Sequence, residues 1–298
     1  MVTLSMFPRR RNDHLENGEL CLCILLNLRD SPVSVFRLNM LRNIRKQNRQ
    51  QREGLLFLRL YFGSCVDALQ ILFQTGCISL DKLLGGGFPA EEVSLVYGEA
   101  ETGKTSLAVQ CAVHCARRGI KSLFIDTDGT VSYERLSQIA EYDFEKISPL
   151  MIISRPTTFQ EQSKAIDSLE KIITNKFGLI VVDTITSLYR VELNDTEETY
   201  SANRELNRQL AVLTQIAKTC GLAVLVIGQV RSIPFGEEVK MKPVATRVLN
   251  YWSEIILDMR QTGQTRVIKV LCEKHPKITG TGHIYIKIEN SGITDHRR

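Results

Sequence analysis

Residues 98–106 read GEAETGKTS, in which two glycines are followed by a lysine and two hydroxyl side chains. Glycine lets the backbone turn its N–H groups toward one anion, and the helix that follows adds the positive end of its dipole. Lys104 supplies a positive charge for the outer phosphates, and the Thr105 hydroxyl suits Mg²⁺. The spacing matches the P-loop pattern and predicts binding of a nucleoside triphosphate. The predicted nucleotide-binding residues here are Gly98, Glu99, Ala100, Glu101, Thr102, Gly103, Lys104, Thr105 and Ser106.

A second candidate magnesium ligand stands in LIVVDTITS, where Asp183 ends a short apolar run. An aspartate at the end of a strand beside a P-loop typically binds the magnesium ion of the nucleotide. The alternative role for Asp183 is to cap a following helix. We predict a metal site formed by Thr105 and Asp183, which indicates nucleotide binding without establishing hydrolysis.

Hydrolysis requires a group that orients or deprotonates the attacking water, and LFIDTDGT (123–130) offers two carboxylates. Asp126 lies nearer the predicted strand, whereas Asp128 precedes Gly129 in a loop and is the better candidate for the base. Its side chain is one methylene shorter than glutamate and falls about 1 Å short unless the loop advances, which can cost about 10²-fold in rate. The alternative is that both carboxylates only make hydrogen bonds within a turn.

The elements that must position these residues alternate between short apolar runs and longer helical segments from Gly76 onward. This alternation predicts an α/β fold with a mainly parallel twisted sheet and helices on both faces. Strand-like runs in 254–274 and 283–293, joined by glycine turns, predict an antiparallel C-terminal extension. The predicted strands are 92–98, 122–128, 150–155, 179–183 and 222–228, and the predicted crossover helices are 104–118, 133–141, 158–174 and 202–219.

The excess of positive charge lies near the start of the chain. The formal charge is +5, and residues 1–74 hold 11 of the 38 basic side chains but only 6 of the 33 acidic ones. Three interpretations of this Arg-rich extension stay open: a segment that contacts phosphates, a solvated or disordered tail, and a sequence upstream of the true start codon. We expect a basic extension of unknown role over 1–74 and an ATPase core domain over 75–298.

Composition also bounds the environment of the protein. No stretch reaches the roughly 18–20 apolar residues that a membrane span needs, so we expect a soluble, cytoplasmic protein. The eight cysteines show no zinc-site spacing, and most stand among apolar neighbours. We expect them to be small core residues in a reducing compartment.

Several ordered motifs resemble the RecA-like recombinases, and most closely the archaeal RadB family. They extend from about Thr75 to Asp295 and comprise TGCISLDKLLGGGFP, VYGEAETGKTSLAVQ, FIDTDGTVSYERL, LIVVDTITSLYR, NRELNRQLAVLTQIAK, VIGQV, NYWSEIILDMR and EKHPKITGTG. The resemblance implies a RecA-like P-loop NTPase core with ATP and Mg²⁺ as its cofactors.

The resemblance also implies roles for single residues. Arg135 matches an arginine that stacks on adenine. Gln229 matches a strand-end glutamine that senses the γ-phosphate and relays its presence to the next DNA-binding loop. Lys274 resembles a basic position that can reach a phosphate held by a neighbouring subunit. We expect Asp128, Lys104 and Gln229 to act in catalysis.

The chain departs from the full recombinases in three ways. Asp128 stands where they have glutamate, residues 1–74 show no Gly-rich helix-hairpin-helix pattern, and no phenylalanine in that segment begins a Phe-x-x-Ala polymerisation motif. These departures predict slow ATP turnover and no filament built through that motif.

Two segments match the DNA-binding loops of the family. The first, 190–203, holds four acidic residues against one arginine and should repel phosphates. The second, 231–247, is basic and contains an aromatic side chain, so it favours weak, salt-dependent contact with single-stranded DNA. The alternative is a flexible loop that contacts only a protein partner. The predicted DNA-binding residues are Arg231, Lys240, Lys242 and Arg247.

Together these features predict an ATP-binding, weakly hydrolysing and DNA-binding accessory protein of homologous recombination and DNA repair, without strand-exchange activity of its own. By family resemblance, its partners are DNA and recombination proteins such as the recombinase RadA, at the nucleoid. A homo-oligomer stays open. The alternative is a regulatory ATPase of the KaiC type, in which nucleotide state governs protein partners rather than DNA.

Overall fold

The computed structural model of the protein describes residues 71–193, 196–235, 238–277 and 282–296, without the side chains of 233–240. Almost all of the predicted N-terminal extension lies outside the described residues, as do Asp195 and the side chain of Lys240. Among the described residues, no helix combines the length and the apolar character needed to cross a bilayer.

The described elements alternate strands with helices, as the sequence pattern predicts. The strands are β1 (Leu72–Phe73), β2 (Phe88–Pro89), β3 (Val93–Gly98), β4 (Lys121–Asp126), β5 (Met151–Ser154), β6 (Phe177–Asp183), β7 (Ala223–Gly228), β8 (Val230–Phe235), β9 (Glu238–Pro243), β10 (Ile255–Gln261), β11 (Val267–Lys274), β12 (Gly282–Glu289) and β13 (Gly292–Asp295). The α-helices are α1 (Ile78–Leu83), α2 (Lys104–Arg117), α3 (Tyr133–Ala140), α4 (Phe144–Ile147), α5 (Phe159–Ile172), α6 (Ser187–Val191), α7 (Thr196–Cys220) and α8 (Thr246–Trp252).

Nine strands form the central sheet in the order β13-β12-β11-β10-β3-β7-β6-β4-β5. The strands from β10 to β5 are parallel, and β10 to β13 pair antiparallel. This topology confirms the predicted α/β fold and its antiparallel C-terminal extension. The central strands β3, β6 and β7 are buried along their whole length, because helices cover both faces and leave no solvent-facing side.

Two apolar layers hold the helices against the sheet. One includes Leu107 and Val113 of α2, which pack against Leu225 and Leu257 on one face. The other includes Leu206 of α7 on the opposite face. The five described cysteines are free; Cys77, Cys111, Cys115 and Cys272 are buried and Cys220 is half-buried, in line with the expected core role.

Several predicted segments differ from the structure in type or in length. The prediction for 190–203 as a loop is wrong over its second half, because α7 begins at Thr196. The basic segment 231–247 is not a loop either: Val230–Phe235 and Glu238–Pro243 pair as the antiparallel strands of the β8–β9 hairpin, and α8 begins at Thr246. Strand β4 ends at Asp126, two residues before the predicted end, because the Asp126 carboxylate accepts the N–H groups of Thr130 and Val131 and turns the chain.

The fold also uses residues that precede the predicted core boundary at 75. Strand β1 pairs with β2, and the Phe73 side chain is buried in the main apolar layer. Gly87 lies so close to this strand that a Cβ atom there would stand 2.4 Å from the Phe73 carbonyl oxygen. The described fold therefore includes a strand on the N-terminal side of that boundary.

Candidate nucleotide-binding site

The carboxyl ends of β3, β7, β6 and β4 lie side by side, because these strands are parallel neighbours in the sheet. Gly98 ends β3, Asp126 ends β4 and Asp183 ends β6, while Gln229 follows β7 directly. In open α/β sheets, ligands bind in the crevice outside this edge. The fold thus brings the predicted site residues together at one edge.

The P-loop is held close to neighbouring strands at both of its glycines. A Cβ atom on Gly98 would lie 2.1 Å from the Met259 carbonyl oxygen of β10. Gly103 has φ +84°, and a Cβ there would lie 2.9 Å from Cδ1 of Ile288 in β12. Gly103 precedes Lys104, the first residue of α2, so the free N–H groups of that helix start at the loop. This backbone, with free N–H groups at the start of a helix, suits the binding of an anion.

Lys104 folds back onto its own loop. Its Nζ donates to the Glu99 carbonyl oxygen and, at 3.3 Å, to Thr102 Oγ1. Burial lowers the pKa of Lys104, and the negative charges of Asp183, Glu99 and Asp128 oppose that shift. The ammonium group is therefore half-desolvated beside carboxylates and can exchange its present acceptors for phosphate oxygens.

Asp183 is buried, and its carboxylate interacts with the Thr105 hydroxyl. Its Oδ2 atom has no hydrogen-bond partner among the described residues. Burial raises the pKa of Asp183 to about 6, with smaller contributions from the charges of Asp128 and Asp126. A buried carboxylate oxygen without a partner, next to a hydroxyl group, fits a hard cation such as Mg²⁺. The residues present thus suit the predicted metal.

The two carboxylates of 123–130 have different surroundings. The Asp126 carboxylate is buried and accepts from the Thr130 and Val131 N–H groups and from Arg155 Nε. Asp128 is exposed, and its charge acts on both Lys104 and Asp183. The turn-forming alternative therefore describes Asp126, and Asp128 stays the candidate base.

Arg135 joins the P-loop helix to the turn between β12 and β13. Its Nη2 donates to Ser106 Oγ at 2.8 Å, and its Nη1 donates to the Asn290 carbonyl oxygen at 2.8 Å. Burial lowers the pKa of Arg135. The side chain thus lies beside the last residue of the P-loop pattern, and its stacking on adenine stays a prediction.

Gln229 connects the sheet edge with both predicted DNA-binding segments. Its N–H donates to Thr186 Oγ1 at 3.1 Å, and its carbonyl oxygen accepts from the Val244 N–H at 2.8 Å. Its side-chain Oε1 accepts from Arg190 Nη1 at 2.9 Å. Because a guanidinium only donates, the amide oxygen must face Arg190, which leaves the NH₂ group for another acceptor.

Sequence reasoning missed two residues that hold these parts together. Arg190 was counted only as the one cation of an acidic segment. Thr127, between the two aspartates, donates its N–H to the Asp183 carbonyl oxygen at 2.8 Å and its hydroxyl to the Thr184 carbonyl oxygen at 2.8 Å. The Thr184 N–H returns a bond to Thr127 Oγ1 at 2.9 Å. A hydroxyl residue between two strand-end aspartates is the available sequence signal for such a link.

The remaining predicted residues lie on β8, β9, α8 and β11. Arg231 is exposed on β8, Lys242 on β9 stands 3.6 Å from Glu273, and Arg247 is exposed on α8. Lys240 lies on β9, and its side chain is outside the description. Lys274 donates to the Ser253 carbonyl oxygen at 2.5 Å.

The fold and the site together define a P-loop NTPase core of the RecA type. A model of the Rad51 family matches residues 68–296. The DNA repair and recombination protein RadB of Thermococcus onnurineus is 40% identical over 227 residues, which cover 75% of this chain and 97% of that protein. RadB of Methanococcoides burtonii is 38% identical over 63% of this chain and 83% of its own length.

The chain is also similar to a solved structure of a RadB protein. The crystal structure of the RadB recombinase matches with a TM-score of 0.66 and 35% identity, over 76% of this chain and all of that one. The chain therefore belongs to the Rad51 family and, within the RecA/RadA superfamily, to the RadB group.

Proposed function

We propose that this protein is an ATP-binding, slowly hydrolysing and DNA-binding accessory factor in homologous recombination and DNA repair. The observation that carries the proposal is the buried Asp183 carboxylate beside Thr105 and the P-loop, one oxygen of which has no hydrogen-bond partner in the part of the chain that the structure describes. Membership of the RadB group supports the process, because the named relatives are DNA repair and recombination proteins.

The residues at the sheet edge divide the work of binding and hydrolysis. The P-loop backbone and Lys104 would hold the phosphates, while Thr105 and Asp183 would hold Mg²⁺, which neutralises charge that develops on the phosphate oxygens. Asp128 would orient the attacking water and accept its proton. The NH₂ group of Gln229 would donate to the terminal phosphate. Since the aspartate is shorter than glutamate, we expect hydrolysis to be slow.

DNA contact is proposed for the β8–β9 hairpin and the start of α8. Arg231, Lys242 and Arg247 offer exposed or half-exposed positive charge there, and Lys240 is added from the sequence. Contacts of this kind bind phosphates without reading sequence and weaken steeply with salt. We expect weak to moderate affinity for single-stranded DNA, no strand exchange, and action beside recombinase partners at the nucleoid in the cytoplasm.

A salt titration of single-stranded DNA binding tests this proposal against the alternative of a regulatory ATPase that acts only on proteins. The double variant Arg231→Ala/Lys242→Ala should weaken binding and reduce the salt slope by about one per lost phosphate contact. The control variant Arg266→Ala/Lys269→Ala removes the same charge from the β10–β11 turn and from β11, and it should keep the wild-type slope. Absence of DNA binding by the wild type at low salt would favour the alternative.

A further inference from the structure

The candidate base stands on a short arch, residues 127–130, whose two ends are fixed. Asp126 precedes the arch and Val131 follows it, and both are buried. The Asp126 carboxylate closes the arch by accepting from the Thr130 N–H at 3.1 Å and the Val131 N–H at 3.2 Å. Within the arch, Asp128, Gly129 and Thr130 are exposed. The position of the Asp128 carboxylate therefore depends on how the two ends of the arch are held.

One arginine from a neighbouring strand reaches both ends of the arch. Arg155 follows the last residue of β5, which pairs with β4 next to the arch. Its Nε donates to Asp126 Oδ2 at 3.2 Å, and its Nη2 donates to the Val131 carbonyl oxygen at 2.5 Å. The arginine side chain is 55% exposed, whereas the carboxylate it binds is fully buried. Its contribution lies in these directed bonds, because an exposed side chain adds little to the core.

The first residue of the arch is fixed separately. Thr127 bonds to the main chain of Asp183 and Thr184, so that end of the arch is tied to the strand that carries the predicted metal ligand. The far end, at Val131, has no such hydrogen bond to β6 within the described part of the chain. Arg155 binds the carbonyl oxygen there.

We propose that Arg155 is a positioning residue for ATP hydrolysis, which sets the place of the Asp128 carboxylate by clamping Asp126 to Val131. The inference rests on the proposed function, because it assumes that Asp128 acts on the attacking water. A misplacement of about 1 Å can cost about 10²-fold in rate. When the arch loses the hydrogen bonds from Arg155, the Asp128 carboxylate should be misplaced by only part of this distance. We therefore expect ATP turnover to fall about tenfold.

Steady-state hydrolysis of ATP by Arg155→Ala, Arg155→Lys and a matched control tests the proposal. The control is Arg117→Ala, since Arg117 makes a similar pair of contacts at the opposite end of α2: Nε to Asp143 Oδ2 at 2.9 Å and Nη2 to the Ala140 carbonyl oxygen at 2.8 Å. Its Nη2 also donates to Asp143 Oδ1 at 3.1 Å. Arg155→Ala should lower kcat about tenfold with KM for ATP within about twofold. Arg155→Lys should lie between, because an ammonium does not present the planar fork of a guanidinium.

A purely structural role would lower the melting temperature of Arg155→Ala well below that of Arg117→Ala and would reduce nucleotide affinity together with kcat. The double variant Arg155→Ala/Asp128→Asn separates a positioning role from any other. If Arg155 acts through Asp128, this variant should be no slower than Asp128→Asn alone. A further tenfold loss would overturn the inference.

The outcomes also separate this inference from the proposed function. If the wild type does not hydrolyse ATP, or Asp128→Asn leaves kcat unchanged, the proposed catalytic role is wrong and the inference falls with it. If Asp128→Asn is inactive while Arg155→Ala matches Arg117→Ala, only the inference about Arg155 is overturned.

Discussion

Burial makes ionisation of the Asp183 carboxylate unfavourable, and a bound magnesium ion would stabilise its negative charge. Its pKa is about 6 in the folded protein, above the ordinary 3.8, mainly because it is buried. Between these two pH values the folded protein binds a proton that the unfolded chain has lost, so stability falls as the pH rises through the window. At neutral pH the ionised carboxylate is a local cost that metal binding would relieve.

We expect Asp183→Asn to stabilise the metal-free protein at pH 7.5 by about 2 kcal/mol, because it removes a buried charge. The same variant should lose the increase in melting temperature that we expect Mg²⁺ and ATP to give the wild type. Differential scanning fluorimetry in EDTA and in Mg²⁺ with nucleotide measures both effects. At pH 4.5, where wild-type Asp183 is protonated, the stability difference in EDTA should shrink; a constant difference would contradict this account of its pKa.

Asp128 offers a carboxylate as the candidate base, but its side chain is one methylene shorter than that of glutamate. Asp128→Glu should raise kcat for ATP hydrolysis about tenfold or more by extending the carboxylate toward the γ-phosphate, while Asp128→Asn should abolish most turnover. A phosphate-release assay with saturating Mg²⁺ and ATP measures both. Equal or lower turnover of the glutamate variant would mean that another group positions the water.

Strand β7, helix α6 and the β8–β9 hairpin meet at Gln229. Its main chain holds Thr186 and Val244, and its side chain accepts from Arg190, so three elements share one residue at the nucleotide edge. A shift of the amide toward a phosphate would act on both the end of α6 and the base of the hairpin. If Gln229 contacts the terminal phosphate as proposed, this arrangement would couple nucleotide state to the proposed DNA-binding surface.

The coupling predicts that ATP changes DNA affinity and that Gln229→Ala removes the change. We expect DNA affinity of the variant to be equal, within about twofold, with and without a non-hydrolysable ATP analogue. Fluorescence anisotropy on labelled single-stranded DNA measures the ratio. Gln264→Ala, an exposed glutamine on the β10–β11 turn, should keep the wild-type ratio. A Gln229→Ala ratio equal to that of wild type would show that the signal takes another route.

For the molecule as a whole, the position at which the independently folding core begins can be tested. The solved RadB structure is covered over its whole chain by 76% of this one, so a chain of about that length folds. Phe73 lies in the core and β1 pairs with β2. A core cut at 75 therefore loses a buried aromatic side chain.

We expect residues 68–298 to unfold cooperatively and to bind ATP as the full chain does. Residues 75–298 should be less stable by about 3–5 kcal/mol, the usual cost of removing a buried phenylalanine side chain. Urea denaturation compares the two fragments, and Phe73→Ala in the longer one serves as the matched control. Equal stability of both fragments would contradict a structural role for β1.

The salt slope of DNA binding, measured on 68–298 and on the full chain, tests whether the Arg-rich extension contacts phosphates.

The sequence by itself determined the parts whose signals are local. The P-loop spacing, the apolar runs of parallel strands and the strand-end Asp183 each follow from the chemistry of a few adjacent residues, and the fold and family they predict are confirmed. Local sequence patterns did not predict the secondary structure of 190–203 and 231–247. Polar helix starts and hairpins near a binding surface lack the apolar period on which such a prediction depends.

Only the tertiary structure decided which distant groups act on one another. Arg155 and Asp126 are 29 positions apart, and Arg190 and Gln229 are 39 apart, so no spacing rule relates them. The strand order brings them together, because β4 lies between β5 and β6, and β6 lies next to β7. The folded chain engages the Asp126 carboxylate in its turn and leaves Asp128 exposed after the end of β4, so Asp128 stays the candidate base.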